Sequence, residues 1–320
     1  MIRNYILTAW RNITRSKMYS LIHIGGLAVG MAVSILLLIY VADDYNYDKF
    51  HENYDQLYEV YRHQTSDAGI NTGNSTPPPL AAAITKDFPE IENVARRNWG
   101  GYGLLSYGEK AVRFKGNLVD NSFLHMFSFQ FVRGDAASAF KELNSIVLTE
   151  TAAKKLFGNE EAFNKIVKFN NDDPMRVSAI VKELPSNSSI KFEYLASWAF
   201  AENKYQWMRD RNWGNNSFIT YVQLKPTADP DLVNKKLKGL FAKYSSDMND
   251  HTLFLHPISK WHLYSEFKNG FNTGGNIEYV RLFFGLAICI LIVACINFMN
   301  LSTARSGKRA REVGVRKVVG

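Results

Sequence analysis

Two uncharged runs constrain this chain more than any other feature of its 320 residues. Residues 21–42, LIHIGGLAVGMAVSILLLIYVA, form the first, with His23 its one histidine. Residues 282–304, LFFGLAICILIVACINFMNLSTA, form the second. At about 1.5 Å per helical residue each reaches roughly 33 Å, enough for a hydrocarbon core of about 30 Å. The first run is too long for the apolar part of a signal peptide. The YVADDY that ends it offers no small-x-small cleavage site, so it reads as a retained anchor.

The formal charge of +8 sits beside these runs. Residues 1–20 carry Arg3, Arg11, Arg15 and Lys17 and no acid, and residues 304–320 carry six basic side chains against Glu312. The rest of the chain is nearly neutral. A nucleic-acid binder would carry its excess on a folded surface, so no nucleic-acid partner is expected. Basic ends flanking apolar spans mark cytoplasmic retention, which places both termini in the cytoplasm and residues 43–278 outside. The only cysteines, Cys289 and Cys295, lie in the second run. The large middle region therefore has no disulfide framework and must be held by its own core.

Ahead of the first span, Ile2, Tyr5, Ile6, Ala9, Trp10 and Ile13 recur at helical spacing, with Arg3, Arg11 and Arg15 opposite. Residues 1–18 are predicted to be an amphipathic helix, with Trp10, Arg11 and Arg15 at the membrane interface. The alternative is a solvated helix packed on protein. Gly26-x-x-x-Gly30 suits close approach of a second helix, although glycine is common in spans for other reasons. His23 lies near the headgroups and reads as a neutral side chain rather than part of a proton path.

The middle region alternates strand and helix patterns. DQLYEVYRH, SIVLT, SFITYVQLK and HTLFLHPI read as strands, and KIVKFNNDDPMRVSAIVKEL as a hairpin turning at NNDDP. PPPLAAAITKDF, ETAAKKLFG (capped by Gly158) and DPDLVNKKLKGLFAKYS read as helices. GGYGLLSYG lacks the G-x-G-x-x-G spacing and reads as a loop beside a strand; NTGNSTPPP and NGFNTGGN read as loops. The expected fold class is α+β: two transmembrane helices, 19–42 and 279–304, flanking a mixed, two-lobed extracytoplasmic domain, 43–278. Lobe A is placed at 43–118 with 217–278, and lobe B at 119–216. Residues 305–320 follow as a cytoplasmic segment.

Motifs for chemistry are missing. The only Gly-Lys pair, Gly307-Lys308, precedes Arg309 rather than Ser or Thr, so it makes no phosphate-cradling P-loop. His251, His256 and His262 cluster in sequence without H-E-x-x-H or a cysteine, and surface or core histidines explain them better than a metal site. No G-x-S-x-G elbow occurs. Asp43 and Asp44 read as the boundary of the membrane. No catalytic residue, metal or cofactor is expected.

The segment INFMNLSTARSGKRAREVGVRKVVG resembles the end of a transmembrane helix and the coupling segment of FtsX-like permeases of the MacB type, which are ABC transporter permeases. Their usual pattern there is close to RxxEIGIRKAxGA. Arg309, Arg311, Glu312, Val313, Gly314, Val315, Arg316, Lys317 and Gly320 match it, with valine for isoleucine. NYILTAWRNITRSKMYSLIHIGGLAVGMAVSILL is similar to the family's N-terminal helix and first span. NSFLHMFSFQFVRGDA, SIVLTETAAKKLFGNEEAFNKIVKF and VSAIVKELPSNSSIKFEYL resemble its periplasmic core domain. After LFG the family carries an acidic residue and Pro-Leu-Gly-Lys; here Ala162-Phe163-Asn164 precedes Lys165. Asparagine is the next most tolerant of left-handed geometry after glycine, so the turn is expected to survive.

The resemblance implies a bacterial inner-membrane permease subunit whose spans carry movement from a separate ABC ATPase to the periplasmic domain. That mechanotransmission would serve export or efflux of peptides, drugs or lipoproteins. It places the ATPase contact on Arg309, Arg311, Glu312, Val313, Gly314, Val315, Arg316 and Lys317. Membrane lipids, a second permease copy or half, and a periplasmic adaptor are the other implied partners. The family's permeases continue with further spans, so residues 305–320 are expected to be cut short. A two-span sensor is the main alternative; it needs a cytoplasmic signalling module. An anchored enzyme, the third possibility, needs a catalytic constellation.

Overall fold

Both uncharged runs are helical. The computed structural model describes Arg3, Arg11, residues 17–209 and residues 211–319. Helix α1 is Lys17–Tyr45, and helix α9 is Asn276–Val319, with 44 residues. The windows Ile24–Tyr45 and Asn276–Asn300 are long and apolar enough to cross a membrane. Their large side chains face outward, among them Leu21, Val29 and Leu36 on α1 and Leu282, Val293 and Met299 on α9. A core helix of a water-soluble domain would bury these groups, whereas lipid leaves them at no disadvantage. Most of the expected interfacial helix, including Trp10 and Arg15, lies outside the described residues.

The two helices form one compact unit, and Asn46–Gly275 forms the other. The second unit is built on a twelve-stranded mixed sheet with short helices. Its first part comprises β1 (Leu57–Ser66), β2 (Gly69–Gly73), α2 (Leu80–Asp87), β3 (Ile91–Asn98), β4 (Gly101–Tyr107) and β5 (Lys110–Val119). Next come α3 (Asn121–Met126), β6 (Phe131–Arg133), β7 (Ser145–Thr149), α4 (Glu150–Phe157), β8 (Ile166–Phe169), β9 (Asp173–Val181), β10 (Tyr194–Ser197) and α5 (Trp198–Lys204). The last part is β11 (Phe218–Leu224), α6 (Pro230–Leu237), α7 (Leu240–Tyr244), β12 (His251–Pro257) and α8 (Ile258–Trp261), then a hairpin of β13 (Glu266–Lys268) and β14 (Phe271–Gly274).

The strand order runs β10-β7-β9-β8-β4-β5-β3-β11-β1-β12, and β10 also pairs with β5 in parallel. That extra pairing closes β10, β7, β9, β8, β4 and β5 into a six-stranded ring. Alternate residues of all six strands point into it: Leu105, Phe114, Leu148, Val167, Val177 and Tyr194, packed with Leu156 and Phe157 of α4. The alternation follows from the two-residue period of a strand. On the other side, Val147, Ala179 and Leu195 join Ile219 and Tyr221 around Phe123, Phe127 and Phe129, so this core knits the ring to the β3-β11-β1-β12 sheet. Val60, Val222 and Leu255 form a third core under α2, α6 and α7. Each fully buried large side chain contributes about 1.5–3 kcal/mol.

Local signals place several of these elements. Thr149 caps α4, accepting from the Ala152 N–H at 3.3 Å, and Gly158 ends it at φ 69°. Asp229 and Pro230 start α6. Asn170 and Asn171 turn the β8–β9 hairpin at φ 49° and 75°. Asn164, standing where the resembled family has glycine, sits at φ 63°.

Other expectations give way. GGYGLLSYG is not a loop but strand β4. A Cβ on Gly103 would lie 2.7 Å from the Tyr194 hydroxyl, and one on Gly116 of β5 would overlap the Tyr194 ring and carbonyl. The glycines are bare strand positions over which an aromatic ring lies. NGFNTGGN is not a loop either: Asn269 and Gly270, at φ 49° and 81°, make the tight turn of the β13–β14 hairpin. NTGNSTPPP begins inside β2. DPDLVNKKLKGLFAKYS forms two helices, divided at Gly239. The β4–β5 hairpin, placed in lobe A by the sequence, belongs to the ring, because β5 pairs with β10.

Candidate coupling site

The sequence-selected residues that the structure describes lie in the helical unit. Helices α1 and α9 run side by side along a seam of small residues. A Cβ on Gly30 would lie 2.7 Å from the Cβ of Ala294, and one on Gly26 would lie 3.4 Å from the Asn297 amide nitrogen. Four residues beyond Gly30, the Ser34 hydroxyl donates to the Ala287 carbonyl at 3.0 Å. Tyr40 meets Phe283 edge-on, with ring centroids 5.3 Å apart. Residues 26, 30 and 34 share a helix face by their four-residue spacing, and small groups there let the backbones approach.

Helix α9 continues without a break from its apolar window through the charged segment to Val319. Arg309, Arg311, Glu312, Val313 and Arg316 lie on this helical backbone; their side chains are outside the described ones. Gly314 faces open space, Lys317 is exposed, and Val315 and Val318 are 62% and 87% exposed. Arg11 is helical and exposed.

The Asn46–Gly275 unit holds polar groups that the sequence reading missed. Arg96 donates to both carboxylate oxygens of Asp120, each at 2.9 Å, and to Glu202 at 2.9 Å. The Trp198 indole donates to the same Glu202 oxygen at 2.8 Å, and the Arg96 guanidinium lies over the Trp198 ring. The four come from β3, the start of α3 and α5, so no local motif announces them. Glu59 is buried on β1 and accepts from Asn74 at 2.8 Å. Its strand neighbours are Tyr221 and His256. Burial pushes its carboxyl up to about 7, against the opposing pull of Arg97 and Asn74. Burial likewise lowers His51 and His256 to about 4.

The three histidines close in sequence are separated in role. His251 pairs with Asp250 at 2.7 Å, His256 is buried, and His262 stacks on Tyr47. Among the described residues no group of three His, Cys, Asp or Glu side chains is arranged to hold a metal ion.

The model of the MacB-like periplasmic core domain matches residues 20–240. The chain belongs to this family. It is 23% identical over 338 aligned residues to the macrolide export ATP-binding/permease protein MacB of Salmonella choleraesuis, and equally to that of Salmonella typhimurium. Those alignments cover 99% of this chain and 48% of the relatives, so the chain spans about half the length of the curated relatives it matches. A domain assigned to a permease of Porphyromonas gingivalis shares the fold, with a TM-score of 0.55 and 22% identity over 65% of this chain and 91% of that one. The periplasmic region of MacB from Actinobacillus actinomycetemcomitans aligns at a TM-score of 0.46 with 16% identity, covering 63% of this chain and 90% of that one. In this MacB-like chain the periplasmic-type domain stands between two apolar helices.

Proposed function

We infer that this chain is the permease part of an ABC transporter, in which the end of α9 receives the motion of an ATPase and the spans deliver it to the periplasmic domain. The observation that carries this reading is the continuity of α9. A helix of 44 residues is about 66 Å long, more than twice the hydrocarbon thickness. Force applied to its charged end reaches the seam at Ala287 and Ala294 without crossing a loop.

The segment from Arg309 to Lys317 has the chemistry of a handle. Arg309, Arg311 and Lys317 suit an acidic partner surface or anionic lipid. Val315 and Val318 offer apolar contacts for a groove. Glu312 precedes Arg316 by four residues, the favourable order for a helical ion pair of about 0.2–0.5 kcal/mol. Gly26 and Gly30 serve as packing residues that keep α1 with α9. Trp10, Arg11 and Arg15 anchor the chain at the interface. Both termini lie in the cytoplasm and residues 43–278 in the periplasm of a bacterial inner-membrane protein. The cargo class is peptides, drugs or lipoproteins, and a second permease copy or half and a periplasmic adaptor complete the unit.

The test is capture of a P-loop ATPase in detergent from the source organism, with the chain intact, with residues 305–320 removed, and with Glu312→Lys. The ATPase is expected with the intact chain, absent after the deletion, and poorly stimulated by Glu312→Lys. Equal capture and stimulation by all three would sink the handle.

A further inference from the structure

An open cleft of about 580 Å³ lies where the ring and the sheet with its covering helices meet. One wall comes from α2 and α7, with Lys86 and Tyr244. The other comes from the end of α5 and the segment after it, with Glu202, Arg209, Arg211 and Trp213. A second hollow continues from it, sharing Arg209 and Arg211 and adding Lys204 and Trp207.

Among the described residues that line this surface, cations outnumber carboxylates. The one carboxylate among its described lining residues, Glu202, is already taken by Arg96 and by the Trp198 indole, at 2.9 and 2.8 Å. Arg209 donates to the carbonyls of Glu202 and Asn203 and to the Asn203 side chain. All of these acceptors are neutral, so they hold the guanidinium in place without neutralising it. Lys86 and Arg211 are exposed, and no carboxylate among the described residues forms an ion pair with either. Asp210, between the two arginines in sequence, lies outside the described residues.

Flat aromatic surface accompanies these cations. Trp213 stacks on Tyr244 with ring centroids 5.2 Å apart and stands edge-on to Phe241. Trp207, 54% exposed, lies nearly parallel to Phe218 at 5.7 Å. Both indoles are thus held by neighbours while presenting surface outward. Rigid aromatics beside arginine are the residue types that carry binding energy at interfaces.

We propose that this cleft binds an extended acidic peptide segment of a partner, with carboxylates meeting Lys86, Arg209 and Arg211 and apolar side chains lying on Trp213, Tyr244 and Trp207. The charge excess selects an anionic partner. The two adjoining hollows and the aromatic walls select a chain over a small inorganic anion, which would leave the aromatic surface uncovered. A bound segment touches α2 and α7 on the sheet side and the α5 end on the ring side, and so bridges the two lobes. The proposal holds whether or not α9 contacts an ATPase.

The experiment uses the full chain in lipid nanodiscs and a fluorescent peptide of alternating glutamate and phenylalanine, read by anisotropy. Saturable binding is expected, weakened about tenfold or more by Lys86→Glu and by Arg211→Glu. Lys168→Glu, on β8 and outside the cleft, is expected to leave the affinity unchanged. The proposal is overturned if the corresponding glutamine–phenylalanine peptide binds as tightly, or if both reversals bind like the unaltered chain. Displacement of the peptide by inorganic phosphate at equal charge concentration would also overturn it, in favour of a small-anion site.

Discussion

Glu59 concentrates the electrostatic cost of this fold in one side chain. It is buried beside Tyr221 and His256, and its carboxyl is raised from an ordinary 4.5 to about 7. The folded protein therefore holds this proton more tightly than the unfolded chain does. The stability it confers is complete below pH 4.5, declines as pH rises to about 7, and is flat beyond. His51 and His256 act with the opposite sign. Their folded values, near 4, lie below the ordinary 6.5, so they lose stability as pH falls through that window. Comparing Glu59→Gln with the unaltered protein isolates the carboxylate. The variant should gain on the order of 2 kcal/mol relative to the unaltered chain between pH 5 and pH 8, measured by urea unfolding at both. A constant difference would show that Glu59 is not held protonated. Asn164 tests backbone rather than charge: with φ at 63°, Asn164→Val should cost about 1–2 kcal/mol by the same measurement, while Asn164→Gly stays near neutral.

At the scale of elements, close approach decides both units. The ring closes because Gly103 and Gly116 leave room for Tyr194. Gly116→Ala should destabilise the protein by at least about 2 kcal/mol, since its Cβ meets a fixed carbonyl as well as a ring. Gly101→Ala, directly opposite Gly116 on β4 and open on all sides, should cost less than about 1 kcal/mol. Thermal unfolding of the two variants checks the contrast, and equal losses would refute it. In the helical unit, Gly30→Cys with Ala294→Cys, in a background lacking Cys289 and Cys295, should cross-link on mild oxidation. The bond would join the two fragments after proteolysis between the helices. Pairing Ala294→Cys with Val29→Cys, which is 65% exposed, should not cross-link.

Across the whole molecule, the proposed topology makes a labelling prediction. In a cysteine-free background, Lys168→Cys should react with an impermeant maleimide once the outer membrane is opened. Lys317→Cys should react only after the inner membrane is broken. Both side chains are exposed, so access to the reagent is set by compartment rather than by burial. Equal labelling of both positions in sealed inner membranes would contradict cytoplasmic termini.

The sequence alone determined the features that rest on local or compositional physics. Two uncharged runs of membrane length, basic ends and missing disulfides require spans around a self-sufficient domain. Thr149, Gly158 and the Asn170-Asn171 turn mark their own elements, because capping and left-handed turns depend on one or two residues. The Asn269-Gly270 turn carries the same kind of signal, but the glycine-rich stretch around it reads as a loop. Tertiary structure alone decided the ring, the glycine platform under Tyr194 and the membership of the β4–β5 hairpin. It also decided the Arg96–Asp120–Glu202–Trp198 cluster and the basic aromatic cleft. In each of these the partners are many residues apart, and contact between them is fixed by strand order, which no local pattern encodes.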